Sequence, residues 1–259
     1  MPKKIYRYVY GPVSSWRLGR SLGIDPVSSK RGRICTFNCV YCQIGKVGSL
    51  TDKRKVFVPA ARIIEELKAM PPLKIDYITF SGAGDPALAK NLGEIINGVR
   101  KIRKEKIAIL TNSSMLSRKD VQEDLMLADF VIAKLDAHTQ RLFAQINRPM
   151  KGITLDAIVK GVKGFRSRYK GKLAPQIMFV DINKGYAEEI ARLAGEIRPD
   201  QIQINTPLRP CGVRPLPKKE LDRIKGFFKG NNCISVFEAG KKKVKPISAK
   251  DVLRRRGKA

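Results

Sequence analysis

The chain has 259 residues, of which 43% are hydrophobic, and its 52 Lys and Arg residues against 23 Asp and Glu give a formal charge of +29. This length and apolar content are enough for one domain with a sizeable core. There is no run of eighteen or more apolar residues, and the basic start MPKKIYRYVYGP lacks the apolar stretch of a secretory signal. The composition therefore predicts no transmembrane helix and no membrane partner, and it favours the cytoplasm.

The excess of positive charge concerns partners rather than fold. A protein this basic most often binds a polyanion, and nucleic acid is the commonest one. The alternative is an organism whose proteins are generally rich in lysine. An anionic membrane surface fits less well, because no amphipathic anchor with Trp or Phe is evident.

Three clustered cysteines follow the first predicted strand, SLGIDPV, which ends at Pro26. The segment RICTFNCVYCQ, residues 33–43, places Cys35, Cys39 and Cys42 in a C-x3-C-x2-C pattern. Thiolates are soft ligands for iron–sulfur clusters or zinc, and five cysteines in this arrangement fit metal ligation better than disulfides. We expect the three sulfurs to converge on one point, with one coordination position open or filled from elsewhere.

Two other metal sites are weighed against this one. A structural zinc site would need a fourth ligand from Cys211, Cys233 or His138, but closed zinc sites usually contain two cysteine pairs. Ferredoxin-type runs have a different spacing and a fourth cysteine followed by proline.

Downstream of the cysteines, helical periodicity alternates with short β-branched or aromatic runs. The predicted helices cover residues 60–70, 89–104, 118–128, 139–146, 155–168, 186–197 and 217–229. Counting SLGIDPV, about six strands alternate with them; the other five are DYITF, KIAILT, DFVIAKLDA, PQIMFVDIN and DQIQINTP. Such alternation predicts a parallel sheet with right-handed crossovers.

Polar residues stand at or near the ends of these strands. The break SGAGDP after DYITF combines glycines that admit close approach of a ligand with Asp85, whose carboxylate suits an ammonium group. In isolation it would be a plain strand–helix turn. Asn112 and Ser113 follow the next strand and could equally cap the helix after it. Lys134 and Asp136 lie two apart in an extended run and therefore share one face. Gln176, Gln203 and Asn205 are polar residues inside apolar strands, where each needs a partner or a ligand.

Residues 241–259 form a strongly basic segment in which Asp251 is the single acidic residue. A block of like charges is predicted to be mobile until it meets phosphate, although a solvated tail explains it nearly as well. The chain thus divides into a core of residues 1–240 with a basic N-terminal segment, and a basic tail.

The C-x3-C-x2-C pattern, with Tyr41 before the third cysteine, resembles the signature of the radical S-adenosylmethionine (SAM) enzymes. The resemblance implies a partial (β/α)6 barrel of the TIM type, an α/β fold with a parallel sheet. It also implies a [4Fe–4S] cluster held by Cys35, Cys39 and Cys42, with SAM on the fourth iron and reductive cleavage to a 5′-deoxyadenosyl radical. Segment SGAGDP is similar to the family's Gly-Gly-Glu-Pro motif, with Asp in place of Glu. The implied SAM contacts are Gly82, Gly84, Asp85, Asn112, Ser113, Lys134, Asp136, Gln176 and Asn205.

Several further segments resemble one subfamily, the wyosine-type tRNA-modifying synthases and related iron–sulfur oxidoreductases. They are GPVSSWRLGRSLGIDP, TFSGAGDPAL, ILTNSS, LDA at 135–137, INRP at 146–149 and QINTPLRP, and they span roughly residues 10–210. The resemblance implies tRNA modification and an external one-electron donor such as ferredoxin or flavodoxin, since no flavodoxin-like domain is present. We expect phosphate contacts from Arg17, Arg20, Lys30, Arg31, Arg33, Lys241, Lys242, Lys243, Arg254, Arg255 and Arg256.

The resemblance does not extend to the second cluster of archaeal wyosine synthases. Those enzymes bind it with cysteines upstream of the radical motif, and here no cysteine precedes Cys35, while Cys211 and Cys233 are too few and wrongly placed. Pyruvate-condensing chemistry is therefore not implied. Two rival functions stay open: a radical activase of a protein partner, and a zinc-containing RNA-binding protein without catalysis.

Overall fold

A curled sheet of eight strands lies at the centre of the computed structural model, which describes residues 6–29, 32–45, 47–240 and 242–256. These ranges contain ten strands, eight of which form that sheet. They are β1 (Val9–Ser15), β2 (Gly19–Ile24), β3 (Arg33–Cys35), β4 (Val47–Leu50), β5 (Tyr77–Phe80), β6 (Lys106–Thr111), β7 (Phe130–Lys134), β8 (Lys172–Met178), β9 (Ile202–Asn205) and β10 (Cys233–Ser235). The main sheet has the order β1-β2-β5-β6-β7-β8-β9-β10, and β3 pairs with β4 in a separate two-stranded sheet.

Eight helices accompany the strands in the described ranges. They are α1 (Ala60–Lys68), α2 (Leu92–Ile102), α3 (Lys119–Leu125), α4 (Gln140–Asn147), α5 (Leu155–Arg166), α6 (Ala187–Glu196), α7 (Lys218–Lys225) and α8 (Ala249–Arg256). The first seven match the predicted helices to within a few residues at each end. None of the helices in these ranges is long and apolar enough to cross a membrane.

The six predicted strands are β2, β5, β6, β7, β8 and β9, and each pairs in parallel with the next. Their apolar runs are almost completely buried, as expected for parallel strands covered by helices. Parallel pairing brings all their carboxyl ends to one rim, where loops of such folds carry the chemistry. The sheet curls into a half-barrel, so the predicted partial TIM-like fold is confirmed.

The two edge strands of this sheet, β1 and β10, are not among the strands predicted from the sequence. Strand β1 runs antiparallel to β2 and contains Gly11 and Pro12, both of which weaken a strand pattern. Strand β10 has only three residues and pairs in parallel with β9.

The predicted mobile tail is instead partly a packed element. Helix α8 lies against β1, and just before it the Ile247 amide donates to the Gly11 carbonyl at 2.8 Å. On α8 the Arg255 side chain is only 2% exposed and pairs with Asp25 at 3.6 Å. Burial of an ion pair fixes this helix to the barrel. Lys241 and residues 257–259 of the segment lie outside the described residues.

Candidate active site

The three clustered cysteines line one cavity of about 210 Å³ at the carboxyl ends of β6, β7 and β8. Strand β3 ends at Cys35, and the chain then loops through Cys39 to Cys42, with all three thiols free of disulfides. We call this space the cysteine cavity. Its opposite wall is formed by Leu110, Thr111, Asn112, Ile132, Lys134 and Gln176.

A buried arginine holds the cysteine loop from inside. Arg33 is 4% exposed and donates to the Phe37 carbonyl at 2.8 Å and to Asn38 Oδ1 at 3.1 Å. We predicted a phosphate contact for Arg33, and that prediction is wrong, because its guanidinium is enclosed by the loop.

A network behind the loop ties it to the barrel. The Tyr41 hydroxyl donates to the carboxylate of Asp136, which also accepts from Asn147 Nδ2 at 2.7 Å and from the Met178 amide at 2.7 Å. Burial, with Asp136 beside it, raises the pKa of Tyr41 well above its usual value, so the hydroxyl stays protonated and donates. Asp136 therefore anchors the loop and does not face the cavity as a cofactor contact.

This network predicts a stability effect for Asp136→Ala. The substitution leaves three buried donors without their shared acceptor, so we expect the free energy of unfolding to fall by roughly 3 kcal/mol. Urea denaturation measures it, and Asp181→Ala, whose carboxylate is 69% exposed, is the matched control with an expected change under about 0.5 kcal/mol. Equal midpoints for the two variants would contradict the anchoring role.

The glycine-rich segment after β5 packs directly on the cysteine strand. The Ile34 amide donates to the Ala83 carbonyl at 2.8 Å, and a Cβ placed on Gly84 would lie 1.7 Å from the Ile34 carbonyl oxygen. Only glycine permits this approach. The contact fixes the position of the predicted SAM-binding segment relative to the cysteines.

Asp85, in the same segment, is used by the protein itself. Its carboxylate accepts from the Ala87 amide at 2.9 Å, from the Asn112 amide at 2.8 Å and from the Thr111 hydroxyl. Burial raises the pKa of Asp85, while these donors favour its charged form. The sequence predicts an ammonium group as the partner of this carboxylate; in the structure Asp85 lines the cysteine cavity and also joins the ends of β5 and β6.

Asn112 and Ser113, at the end of β6, have different surroundings. Asn112 Nδ2 donates to Thr36 Oγ1 at 2.7 Å and lies 3.4 Å from Cys35 Sγ, at the wall of the cavity. Ser113 is fully buried and donates its hydroxyl to the Lys134 carbonyl at 3.0 Å. Ser113 thus supports the wall rather than lining it.

Two predicted residues from neighbouring strands meet inside the barrel. Lys134 Nζ donates to Gln176 Oε1 at 2.8 Å, and the ammonium group lies 5.1 Å from the centre of the Tyr41 ring. Burial lowers the pKa of Lys134, and the nearby Asp136 partly offsets this. Lys134 also lines the cysteine cavity, so its ammonium group is placed to donate a hydrogen bond to a ligand there.

A second cavity of about 300 Å³ adjoins the first and shares Tyr41, Cys42, Ile44, Gly84 and Leu110 with it. We call it the arginine cavity, because four arginines line it: Arg17, Arg209, Arg255 and Arg256. The predicted SAM contacts Gly82 and Asn205 also lie in its wall. The predicted SAM contacts that line a cavity are thus divided between two adjoining spaces, whereas Ser113 and Asp136 line neither of them.

Comparison with known proteins decides the family. Residues 29–194 match the model of the radical SAM superfamily. The chain belongs to this superfamily. Over 82% of its length it is 42% identical to a UPF0026 protein of Synechocystis sp., of which the match covers 78%. The radical SAM assignment inferred from the cysteine spacing is therefore confirmed.

Two solved structures show the same fold. A structure of TYW1 with a lysine–pyruvate adduct has a TM-score of 0.64 and 16% identity, covering 82% of this chain and 74% of the other. SuiB of Streptococcus suis bound to its precursor peptide SuiA has a TM-score of 0.62 and 14% identity, covering 81% of this chain and 49% of the other. Identities this low establish the shared fold alone.

The cofactors of a radical SAM enzyme are a [4Fe–4S] cluster and SAM, and the donor set here fits them. Three free thiols face one cavity, and amide N–H groups of Asn112 and Asn147 lie 3.4 and 3.5 Å from Cys35 Sγ and Cys39 Sγ. Burial raises the pKa of both thiols, that of Cys39 to about 12, so binding a metal cluster must displace their protons.

The sequence predicts that the three sulfurs converge on one point, and in the structure all three cysteines line the same cavity. Among the described residues, no three His, Cys, Asp or Glu side chains are close enough together to hold a single metal ion. In the family's cluster each cysteine binds a different iron.

Four of the seven basic residues that were predicted to contact nucleic acid and whose side chains the structure describes have other surroundings: Arg20, Arg33, Lys242 and Arg255. Arg20 and Lys242 both pair with Asp76, at 2.6 and 3.0 Å, and Arg255 is buried. Lys243 is exposed, whereas Arg17 and Arg256 line the arginine cavity. Lys30, Arg31, Lys241 and the side chain of Arg254 lie outside the described residues.

Sequence reasoning missed Arg209 and Asn147 as site residues. Asn147 lies within the INRP segment, which was noted for its resemblance but given no role. Arg209 follows β9 in QINTPLRP, another noted segment, and only the fold shows that it faces the same space as Arg17.

Proposed function

We propose that this radical SAM enzyme modifies RNA, specifically tRNA. The observation that carries the proposal is the arginine-lined cavity next to the three cysteines, in a chain with a formal charge of +29. Its fold is shared with TYW1, and motif segments between roughly residues 10 and 210 resemble the wyosine-type synthases. The negative charges of a polyanionic substrate would neutralise the positive charge of the arginines that line this cavity.

The residues of the site have different proposed roles. Cys35, Cys39 and Cys42 would hold the cluster, which supplies reductive cleavage of SAM to a 5′-deoxyadenosyl radical. Gly82 and Gly84, which lie in the wall of the arginine cavity, would present their backbone to the methionine end of SAM. Leu110 and Ile132 provide apolar walls that keep water from a reactive radical.

The cluster must receive its electron from another molecule. We propose a one-electron donor such as ferredoxin or flavodoxin. Cys42 lies in the wall of both cavities, which supports a cluster next to the proposed substrate position.

The test is anaerobic reconstitution with iron and sulfide, reduction in the presence of SAM, and assay of 5′-deoxyadenosine with and without total tRNA. We expect tRNA to stimulate cleavage, and we expect tRNA binding to weaken steeply between about 50 and 200 mM salt, since each phosphate contact releases counterions. Heparin, a polyanion without bases, is the control and should bind without stimulating cleavage.

The outcome separates the candidates. Cleavage that is indifferent to tRNA, or that heparin stimulates equally, would remove RNA as the substrate. The fold is also that of SuiB with its precursor peptide, so a protein or peptide substrate is the alternative in that case. Recovery of one protein partner that stimulates cleavage would then identify a radical activase.

A further inference from the structure

The arginine cavity collects positive charge from three separate parts of the chain. Arg17 comes from the turn between β1 and β2, Arg209 from the loop after β9, and Arg255 and Arg256 from α8. No acidic residue is among the described residues that line it. Three segments far apart in sequence converge here, which distinguishes the arrangement from a solvated run of charges.

The guanidinium groups are only partly satisfied within the protein. Arg255 is 2% exposed and pairs with Asp25, yet its Nη2 has no hydrogen-bond partner in the described residues. Arg17 stacks on Trp16 at 4.2 Å, and its buried Nε likewise has no partner there. Arg209 donates to neutral acceptors, Gln43 Oε1 at 3.2 Å and the Arg256 carbonyl at 2.8 Å.

The arginines also repel one another in a partly desolvated space. Burial, together with Arg256 and Arg209, lowers the pKa of Arg17 to about 9, and burial together with Arg256 lowers that of Arg209 to about 10. Both shifts indicate that the charged forms lack the counter-charge that such a site needs. An anion in the cavity would supply it.

We propose that Arg17, Arg209 and Arg256 bind a phosphate group of the substrate next to SAM. Guanidinium groups present paired N–H donors that match phosphate oxygens, and several of them around one anion form strong charge-assisted hydrogen bonds. The inference rests on the proposed function for the nature of the site, a radical SAM centre, but it does not require the phosphate to belong to RNA. It also gives α8 a function, since that helix supplies Arg256 to the wall.

The test measures binding of inorganic pyrophosphate to the anaerobically reconstituted, SAM-saturated enzyme by calorimetry. Arg17→Gln and Arg256→Gln should each weaken binding by roughly 10-fold or more, because each removes one charge-assisted contact. The matched control is Arg223→Gln on α7, which removes the same charge from a side chain 58% exposed; its effect should stay within about 2-fold. Iron content and thermal midpoints equal to wild type show that the variants are folded.

The same variants test the competing assignment to SAM itself. The affinity for SAM, measured without pyrophosphate, should stay within about 2-fold of wild type in Arg17→Gln and Arg256→Gln. If SAM affinity falls by the same factor as pyrophosphate affinity, the arginines bind the carboxylate of SAM and the proposal is wrong. Failure of the wild-type enzyme to bind pyrophosphate would also overturn it.

Competition then identifies the source of the phosphate. Displacement of pyrophosphate by tRNA alone assigns the site to an RNA backbone, and displacement by a free nucleoside triphosphate assigns it to a small nucleotide; displacement by neither contradicts the proposal. Since pyrophosphate binding needs neither RNA nor turnover, loss of the RNA proposal would leave this one standing.

Discussion

Cys39→Ala is expected to reduce the iron and sulfide bound per chain to background and to abolish SAM cleavage. Cys39 lies in the middle of the cysteine loop, with its sulfur 3.5 Å from Asn147 Nδ2. A cluster with two protein thiolates lacks the third bond that fixes it in the cavity. The loss should exceed the roughly 10–100-fold effect of removing a partner that only hydrogen-bonds a ligand. Iron–sulfur absorption measures the loss of the cluster, and the formation of 5′-deoxyadenosine measures the loss of SAM cleavage.

Cys233→Ala is the matched control for this prediction. Cys233 begins β10, outside both cavities, and burial raises the pKa of its thiol to about 12, as it does for Cys39. The same atom is removed from a similarly buried position, so a nonspecific effect of losing a thiol would appear in both variants. The assignment of the cluster to this loop would be wrong if Cys39→Ala bound as much iron and sulfide as the wild type. It would also be wrong if Cys233→Ala lost as much iron and sulfide as Cys39→Ala.

The half-barrel was predictable because its signals are local. Each parallel strand is a short β-branched or aromatic run, and each intervening helix has apolar residues at helical spacing. Helix α8 has no such signal, since four of its eight residues are basic. Its stability comes from contacts with residues more than two hundred positions earlier, such as Arg255 with Asp25 and Ile247 with Gly11.

Site residues that are recognised by their spacing in the sequence were predictable. Site residues whose role depends on the direction in which the side chain points were not. The cysteines were identified from their pattern alone. Asp136 was expected to share a face with Lys134, but β7 ends at Lys134, so the two-residue period no longer applies beyond it. Asp136 therefore turns to Tyr41 behind the loop.

The basic residues illustrate the same limit. Composition establishes an excess of positive charge but says nothing about which guanidinium groups are enclosed. Arg33 is used inside the cysteine loop, whereas Arg17 reaches the cavity only because β1 and β2 form a hairpin. The distribution of charge is a property of the fold.

Gly84→Ala is expected to separate the glycine-rich segment from the cysteine strand. The added Cβ would lie 1.7 Å from the Ile34 carbonyl oxygen and 2.8 Å from its carbon. The carbonyl cannot easily turn away, because the Ile34 amide is held by Ala83 on the same segment. We expect the free energy of unfolding to fall by about 3 kcal/mol, at the upper end for overpacking a tight site. The iron and sulfide content and the affinity for SAM should fall as well, because Cys35 is the residue directly after Ile34.

The same substitution at Gly164 provides the control and should have the opposite sign. Gly164 is exposed on α5, and apart from its chain neighbours and the backbone of its own helix no described heavy atom lies within 4 Å of the Cβ that alanine would add. Alanine in a helix interior is favoured over glycine by roughly 0.5–1 kcal/mol, so Gly164→Ala should raise the thermal midpoint and leave cluster content unchanged. A Gly84→Ala protein with the midpoint and iron content of Gly164→Ala would mean that the glycine segment does not rest on the cysteine strand. In that case the proposed position of SAM against Gly82 and Gly84 would be wrong as well, because it depends on this contact.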